Sequence, residues 1–249
     1  MRKLYSLICL VLFMSAGQIV AQKQLYFGLQ GTGLSTLMTN PQNYGRPDMD
    51  FVTTFGGAGN VNIGFDFNKH IGLLLQVGYA KLGQKFKDTQ VVNDTTYSYA
   101  RNIKLNYLQI PLMFKYRGGG EIARFYLMAG PQFDFLLSAK QTYYKNDLPY
   151  EEQFQNPNTN EWVKIGEETI TDRFMSFDIF ARLDLGVDIT VAKNLFINTG
   201  LSFAYGLTDI NSTDYRDIPD ANGNYNPCHN IAVGFNVGIN YCLNFSKGK

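Results

Sequence analysis

Residues 177–191 alternate without a break: Phe177, Ile179, Ala181, Leu183, Leu185, Val187, Ile189 and Val191 fall on one face, and Asp178, Phe180, Arg182, Asp184, Gly186, Asp188 and Thr190 on the other. A period of two marks a β-strand, whose successive side chains point to opposite sides of the sheet. In 231–243, Ile231, Val233, Phe235, Val237, Ile239, Tyr241 and Leu243 oppose Ala232, Gly234, Asn236, Gly238, Asn240 and Cys242. The pattern recurs in 25–34, 61–67, 71–79, 103–116, 125–137 and 195–207, which gives eight expected strands. A wall this apolar needs either a second sheet or lipid to cover it.

Length and connectivity choose lipid. Several of these strands run 10 to 15 residues, whereas a tilted membrane strand needs about 9–11 and a soluble one about 5–6. The connections alternate: 68–70, 117–121 and 192–194 hold three, five and three residues, while 38–50, 87–101, 140–176 and 209–230 hold 13, 15, 37 and 22. Short turns at one end and long loops at the other are the habit of outer-membrane barrels. The apolar-face aromatics sort by height, with Phe27, Phe65, Phe67, Phe114, Tyr116, Phe125 and Tyr241 near the short turns. Tyr79, Phe133, Phe135, Phe177, Phe203 and Tyr205 lie toward the loops. Two such rings mark the two membrane interfaces. The expected fold is all-β: an eight-stranded antiparallel up-and-down transmembrane barrel with both termini in the periplasm.

The first 21 residues fit export. Arg2 and Lys3 precede the apolar run Leu4 to Met14, and small residues lead to Ala21, the expected cleavage point. Residues 22–249 then form the barrel domain in the cell outer membrane. Cys9 lies inside the apolar run and reads as filler. Cys228 and Cys242 bracket the last strand, about 35 Å apart at strand rise, too far to pair. With 22 Lys+Arg against 21 Asp+Glu, the chain lacks the basic excess of a nucleic-acid binder.

Eight strands enclose a lumen that side chains fill. The inward polar set is Gln30, Asn62, Asp66, Gln76, Lys115, Gln132, Asp134, Arg182, Asp184, Asp188 and Asn236. Buried charges must be paired, so the expectation is a polar plug rather than a solute channel, with Asp66, Gln76, Lys115, Asp134, Arg182, Asp184 and Asp188 as its network. Glycines on the same face leave room for long charged chains.

The stretch Leu105-Asn106-Tyr107-Leu108-Gln109-Ile110-Pro111-Leu112-Met113-Phe114-Lys115-Tyr116 resembles a strand of the PorT-like outer-membrane barrels of Bacteroidetes. Phe125-Tyr126-Leu127-Met128-Ala129-Gly130-Pro131, Asp184-Leu185-Gly186-Val187-Asp188 and Tyr205-Gly206-Leu207-Thr208-Asp209-Ile210 are similar to later segments of that family. Gln109 stands where the family often has Glu, and Asp184 replaces a small residue. The resemblance implies the barrel fold and the outer membrane, and one branch of the family is linked to protein secretion and gliding.

Chemistry has few footholds. Catalysis by proton transfer commonly uses His, and His70 falls in a short turn. His229 borders a loop with Ser212, Asp214 and Asp217, the one arrangement that would suit a lipid-modifying enzyme. No G-x-S-x-G motif accompanies it. Asp220-Ala221-Asn222-Gly223-Asn224 begins like a calcium loop, but Tyr225 takes the place of the required Gly and no Glu follows at the twelfth position. No catalytic, cofactor or metal residue is assigned. The loop 140–176 carries Tyr143, Tyr144, Tyr150, Phe154 and Trp162 among Asn, Gln and Glu, a mixture suited to recognising a protein or glycan. The expected partners are outer-membrane lipid and lipopolysaccharide, plus a protein or glycan at these extracellular loops. The expected role is anchoring, surface recognition or structural support. A secretion or gliding accessory is the first alternative and a lipid-modifying enzyme the second.

Overall fold

The computed structural model describes residues 24–39, 50–149, 152–155, 162–216 and 225–244. The export segment with Cys9, as well as Tyr150, Asp217 and Asp220 to Asn224, lies outside these residues. Eight long strands make the wall: β1 Gln24–Met38, β2 Thr54–Asp66, β3 Ile71–Val92, β4 Thr95–Gly119, β5 Ala123–Lys145, β6 Phe177–Ala192, β7 Leu195–Gly206 and β8 Asn230–Asn244. Each is antiparallel to the next, and β8 returns to pair with β1 from Gln24↔Asn244 to Met38↔Asn230. Within this wall the sheet is therefore closed and has no edge, which satisfies the backbone in lipid; above it, Asp50–Val52 pairs with β3 at Lys85–Lys87.

The register fixes the barrel's shape. A circuit from Asp66 through Gly72, Lys115, Met128, Asp184, Ser202, Gly234 and Leu34 comes back to β2 at Gly56, ten residues from its start. With about 3.3 Å rise per residue and about 4.8 Å between strands, that offset tilts the strands by about 40°. The backbone radius is then about 8 Å, a bore that side chains fill.

Both aromatic rings face outward. Phe27, Phe114, Tyr116, Phe125 and Tyr241 are exposed at the short-turn end, and Tyr79, Phe135 and Phe203 at the other. Phe177 stacks beside Phe133 and Phe135 with ring centroids 6.4 and 5.1 Å away. At Pro111, which has no N–H to give, the ladders lapse for two residue pairs on each side and resume in the same register. Cys228 and Cys242 are both free and buried.

Two of the expected loops are largely strand. The connection 87–101 narrows to a two-residue turn, Asn93 (φ 49°) and Asp94 (φ 62°), because β3 and β4 continue pairing to Val92↔Thr95. In 140–176, β5 runs on to Lys145 and a second such turn follows at Asn146 (φ 50°) and Asp147 (φ 62°). Positive φ at both central residues is the type I′ hairpin geometry that Asn and Asp tolerate. A small hairpin pairs Glu152–Gln155 with Trp162–Ile165, and Glu168–Thr169 rejoins β5. The outer end is thus lopsided: β3, β4 and β5 have 22, 25 and 23 residues, against 12 for β7 and 13 for β2.

Candidate functional site: the closed lumen and the outer lip

The lumen closes in tiers. Nearest the short turns, Lys115 Nζ lies 2.7 Å from Asp188 Oδ2, and Arg117 Nε lies 2.7 Å from the same oxygen. Arg117 also binds Asp66 through Nη1. Two cations thus meet two carboxylates, all buried. Three rings box them in: Lys115 Nζ stands 4.8, 5.4 and 5.7 Å from the ring centres of Tyr126, Phe196 and Tyr26. The spacing of connections places Arg117 in a turn, yet it lies on β4 and points inward. The alternation Met113, Lys115, Arg117 carried that signal.

The middle tier is a ring of amides. Gln76 Nε2 donates to Gln30 Oε1 (3.2 Å) and Asn62 Oδ1 (2.8 Å), and Asn62 donates to Asn240 Oδ1 (3.2 Å). Asn240 donates to Asn198 Oδ1 (2.7 Å), and Asn198 donates back to Gln30 Oε1 (3.3 Å), closing the circuit across five strands. Gln109 Nε2 adds a bond to Asn60 Oδ1 at 2.6 Å. Beside this ring, Arg182 grips Asp184 with Nε and Nη2 at 2.9 and 2.8 Å and Gln132 with Nη1 at 3.1 Å. Asp134 accepts from Gln132 at 3.1 Å and stands opposite Asp178 in the register. Asp178 in turn accepts from Thr208 (2.5 Å) and Asn230 (3.2 Å).

The inward glycines chiefly make room for tyrosines and amides rather than for long charged chains. A Cβ on Gly64 would stand 1.9 Å from the Tyr26 ring, and one on Gly186 or Gly200 would stand 2.6 Å from the Tyr126 hydroxyl.

The outermost tier is apolar, so the plug is not polar throughout. Ile170, Phe174, Ile210 and Cys228 come from the connecting segments and cover Met38, Phe86, Ile103, Leu105, Tyr107 and Phe180. Backbone bonds tie this lid together: Met175 N to Ile210 O at 2.8 Å, Ile210 N to Cys228 O at 2.9 Å, and Ser212 N to Arg173 O at 3.0 Å. Asp209 clasps its rim, accepting from Tyr225 Oη (2.7 Å) and the amides of Asn211 (3.1 Å) and Cys228 (3.0 Å). Partial burial and this bond push the Tyr225 hydroxyl up to about 12. Lone apolar residues in loops have no period, so no pattern marks the lid in advance.

Both histidine rings bond backbone carbonyls. His229 Nδ1 meets the Thr208 carbonyl at 3.0 Å and its ring stacks on Tyr205, while Ser212 Oγ has no hydrogen-bond partner among the described residues. His70 Nδ1 meets the Arg117 carbonyl at 3.0 Å.

Of the expected recognition aromatics, Tyr143 and Tyr144 ride on the extension of β5, and Arg101 lies 5.3 Å over the Tyr143 ring. Phe154 and Trp162 belong to the small hairpin, facing Val163 and Gln155 in its register. Tyr97 and Tyr99 on β4 were missed. Lys145 Nζ stands 4.5 and 5.6 Å over their rings, which ties the tip of β4 to that of β5. A recess of about 310 Å³ opens beside them, lined by Lys85, Phe86, Lys87, Arg101, Asn102 and Tyr144 among others.

A family model described as an outer membrane protein β-barrel domain matches residues 20–212. No curated protein matches the sequence. Similar solved structures include Neisserial surface protein A, 12% identical with a TM-score of 0.44, the match covering 86% of this chain and 96% of that one. The attachment invasion locus protein Ail of Yersinia pestis, solved with the heparin analogue sucrose octasulfate, is 9% identical with a TM-score of 0.38, over 88% and 99%. The outer membrane protein OprG from Pseudomonas aeruginosa is 11% identical with a TM-score of 0.39, over 90% and 97%. The family match covers more than half of the chain, and the closed eight-strand register agrees with it: this protein belongs to the outer membrane β-barrel family.

Proposed function

We propose that this protein is a non-enzymatic surface-recognition barrel whose working part is the tall β3–β4–β5 sheet at its outer lip. The observation that carries this reading is the contrast between a bore closed in three tiers and a lip that overshoots the membrane. From Tyr79 to Val92 the strand climbs roughly 30 Å at the derived tilt. That height displays Tyr97, Tyr99, Tyr143 and Tyr144, rigid rings whose ordering costs little entropy on binding. The partner class is an extracellular protein or glycan. Replacing the four tyrosines by Ser is expected to abolish capture on a glycan and surface-protein array while heat-modifiable gel mobility stays intact. Unchanged capture would remove the lip from the mechanism.

Two finer assignments accompany this reading. Residues 1–21 are read as a cleaved export signal, which the start of the family match at residue 20 supports. Terminal sequencing of the membrane-extracted protein should begin at Gln22. The segment Leu105 to Tyr116 supports placement in the PorT-like branch of Bacteroidetes.

A further inference from the structure

Above the outer aromatic ring the barrel wall is chemically one-sided. On the outward faces of β3, β4 and β5 the apolar run stops at Tyr79, Leu108 and Leu137. Exposed lysines follow: Lys81, Lys85 and Lys87 on β3, Lys104 on β4 and Lys140 on β5. The border is drawn by a chain of hydrogen bonds across the three strands. Tyr79 Oη donates to Asn106 Oδ1 at 2.7 Å, and Asn106 Nδ2 donates to Ser138 Oγ at 2.9 Å. Around the rest of the rim most of the described outward residues are apolar, among them Leu37, Phe55, Phe203 and Val233, with Ser35 between Phe55 and Val233.

The register crowds these lysines together. Lys104 lies directly opposite Lys140, and it pairs on its other side with Gly83, between Lys81 and Lys85. Like charges directly opposite one another destabilise a sheet unless something neutralises them. Within the described residues Glu167 answers Lys140 at 2.7 Å, both chains exposed, and Asp50 stands opposite Lys87 in the register, so five lysines meet two carboxylates. At about 2.5 Å of climb per residue, Lys81 stands about 5 Å, Lys104 about 10 Å and Lys85 about 15 Å above the apolar border. That is the headgroup layer, where clustered lysines recognise anionic lipid.

We propose that this lysine face binds the phosphorylated glycolipid headgroup of the outer leaflet, with the acyl chains lying along Tyr79, Leu108 and Phe135. The inference rests on the reading that the barrel spans the outer membrane with its tall lip outward. Charge complementarity selects this occupant, since the lysines begin where the lipid-facing wall ends.

The test uses the full mature chain folded in dodecyl maltoside, titrated with bis-phosphorylated lipid A and with the same lipid A dephosphorylated. The phosphorylated form is expected to bind at least tenfold tighter. A lysine near an anionic surface contributes about fivefold in affinity, so the variant K81Q/K104Q/K140Q should bind about a hundredfold more weakly. K81R/K104R/K140R should restore binding, and K69Q, in a short turn, should leave it unchanged. Equal binding of dephosphorylated lipid A would overturn the proposal. So would wild-type affinity in the triple variant, or full competition by inorganic phosphate or soluble heparin at matched concentration. Should the triple variant fail to fold, K104Q carries the same test at fivefold. Loss of heat-modifiable mobility in the wild type, or a tag at Asn93 hidden from intact cells, would instead fail the underlying barrel reading.

Discussion

Arg117 shows how a single side chain can hold a lumen together. It reaches Asp66 through one nitrogen and Asp188 through another, and Asp188 also holds Lys115. Removing one partner of a buried ion pair leaves an uncompensated charge and typically costs about 3–5 kcal/mol. Arg117→Ala is therefore expected to lower stability by that order in urea unfolding from lipid vesicles. Arg117→Ala/Asp66→Ala should cost less than the sum of the two single changes, because the second removes a charge the first had stranded. Additive losses would show that the cluster does not act as a unit. The inner-face members Asp66, Gln76, Lys115, Asp134, Arg182, Asp184 and Asp188 were legible because alternation alone assigns a face. Arg117 was hidden by a misplaced turn boundary. The amide ring was legible in part: Gln30, Asn62 and Gln76 belong to the inward set, while Asn198 and Asn240 join them only through the register. Only the register shows that such amides meet.

The strands report where sequence patterns lose their power. Within the bilayer each strand faces lipid on one side and packed side chains on the other, and the contrast prints a period of two. Above the membrane the outward face meets water, the contrast fades, and the register is weakly written in the pattern. This is why 87–101 and 140–145 read as loops although they are paired strand. Their local signal was the turn itself, Asn93-Asp94 and Asn146-Asp147, flanked by strand-forming residues. Left-handed φ still strains a residue with a Cβ, and Gly at the second turn position relieves it. Asp94→Gly is expected to stabilise the β3–β4 tip by up to about 1 kcal/mol, seen as slower amide exchange from Val91 to Thr96. Faster exchange would mean that the Asp side chain holds the turn. The apolar lid obeys no such periodicity. Ile170, Phe174 and Ile210 become partners only once the segments joining β5–β6 and β7–β8 fold over one mouth.

For the whole molecule the tiers act in series. Opening one leaves the others shut, so Phe174→Ala should leave conductance in planar bilayers at baseline, even though it thins the lid. Conductance from that variant would show that the amide ring and the ion cluster do not block the bore. The fold itself was readable as a whole because length, turn spacing and aromatic height all point to a closed sheet. The lopsided lip was not, since it lies beyond the reach of the lipid-imposed pattern.

Closure of the wall by β1 and β8 has a further consequence. Gln24 and Asn244 are direct partners at the short-turn end, so the first and last strands stand in the same relation as any hairpin pair. The order of strands along the chain is thus a matter of where the thread was cut rather than of the sheet's design. A circular permutant joined between these residues and opened in the turn after β2 would keep every ladder of the wall. In such a molecule β1 and β8 would form a local hairpin, while the seam closed last would move to β2 and β3. Comparing its assembly rate with that of the natural order would separate the cost of bringing distant strands together from the cost of crossing the lipid.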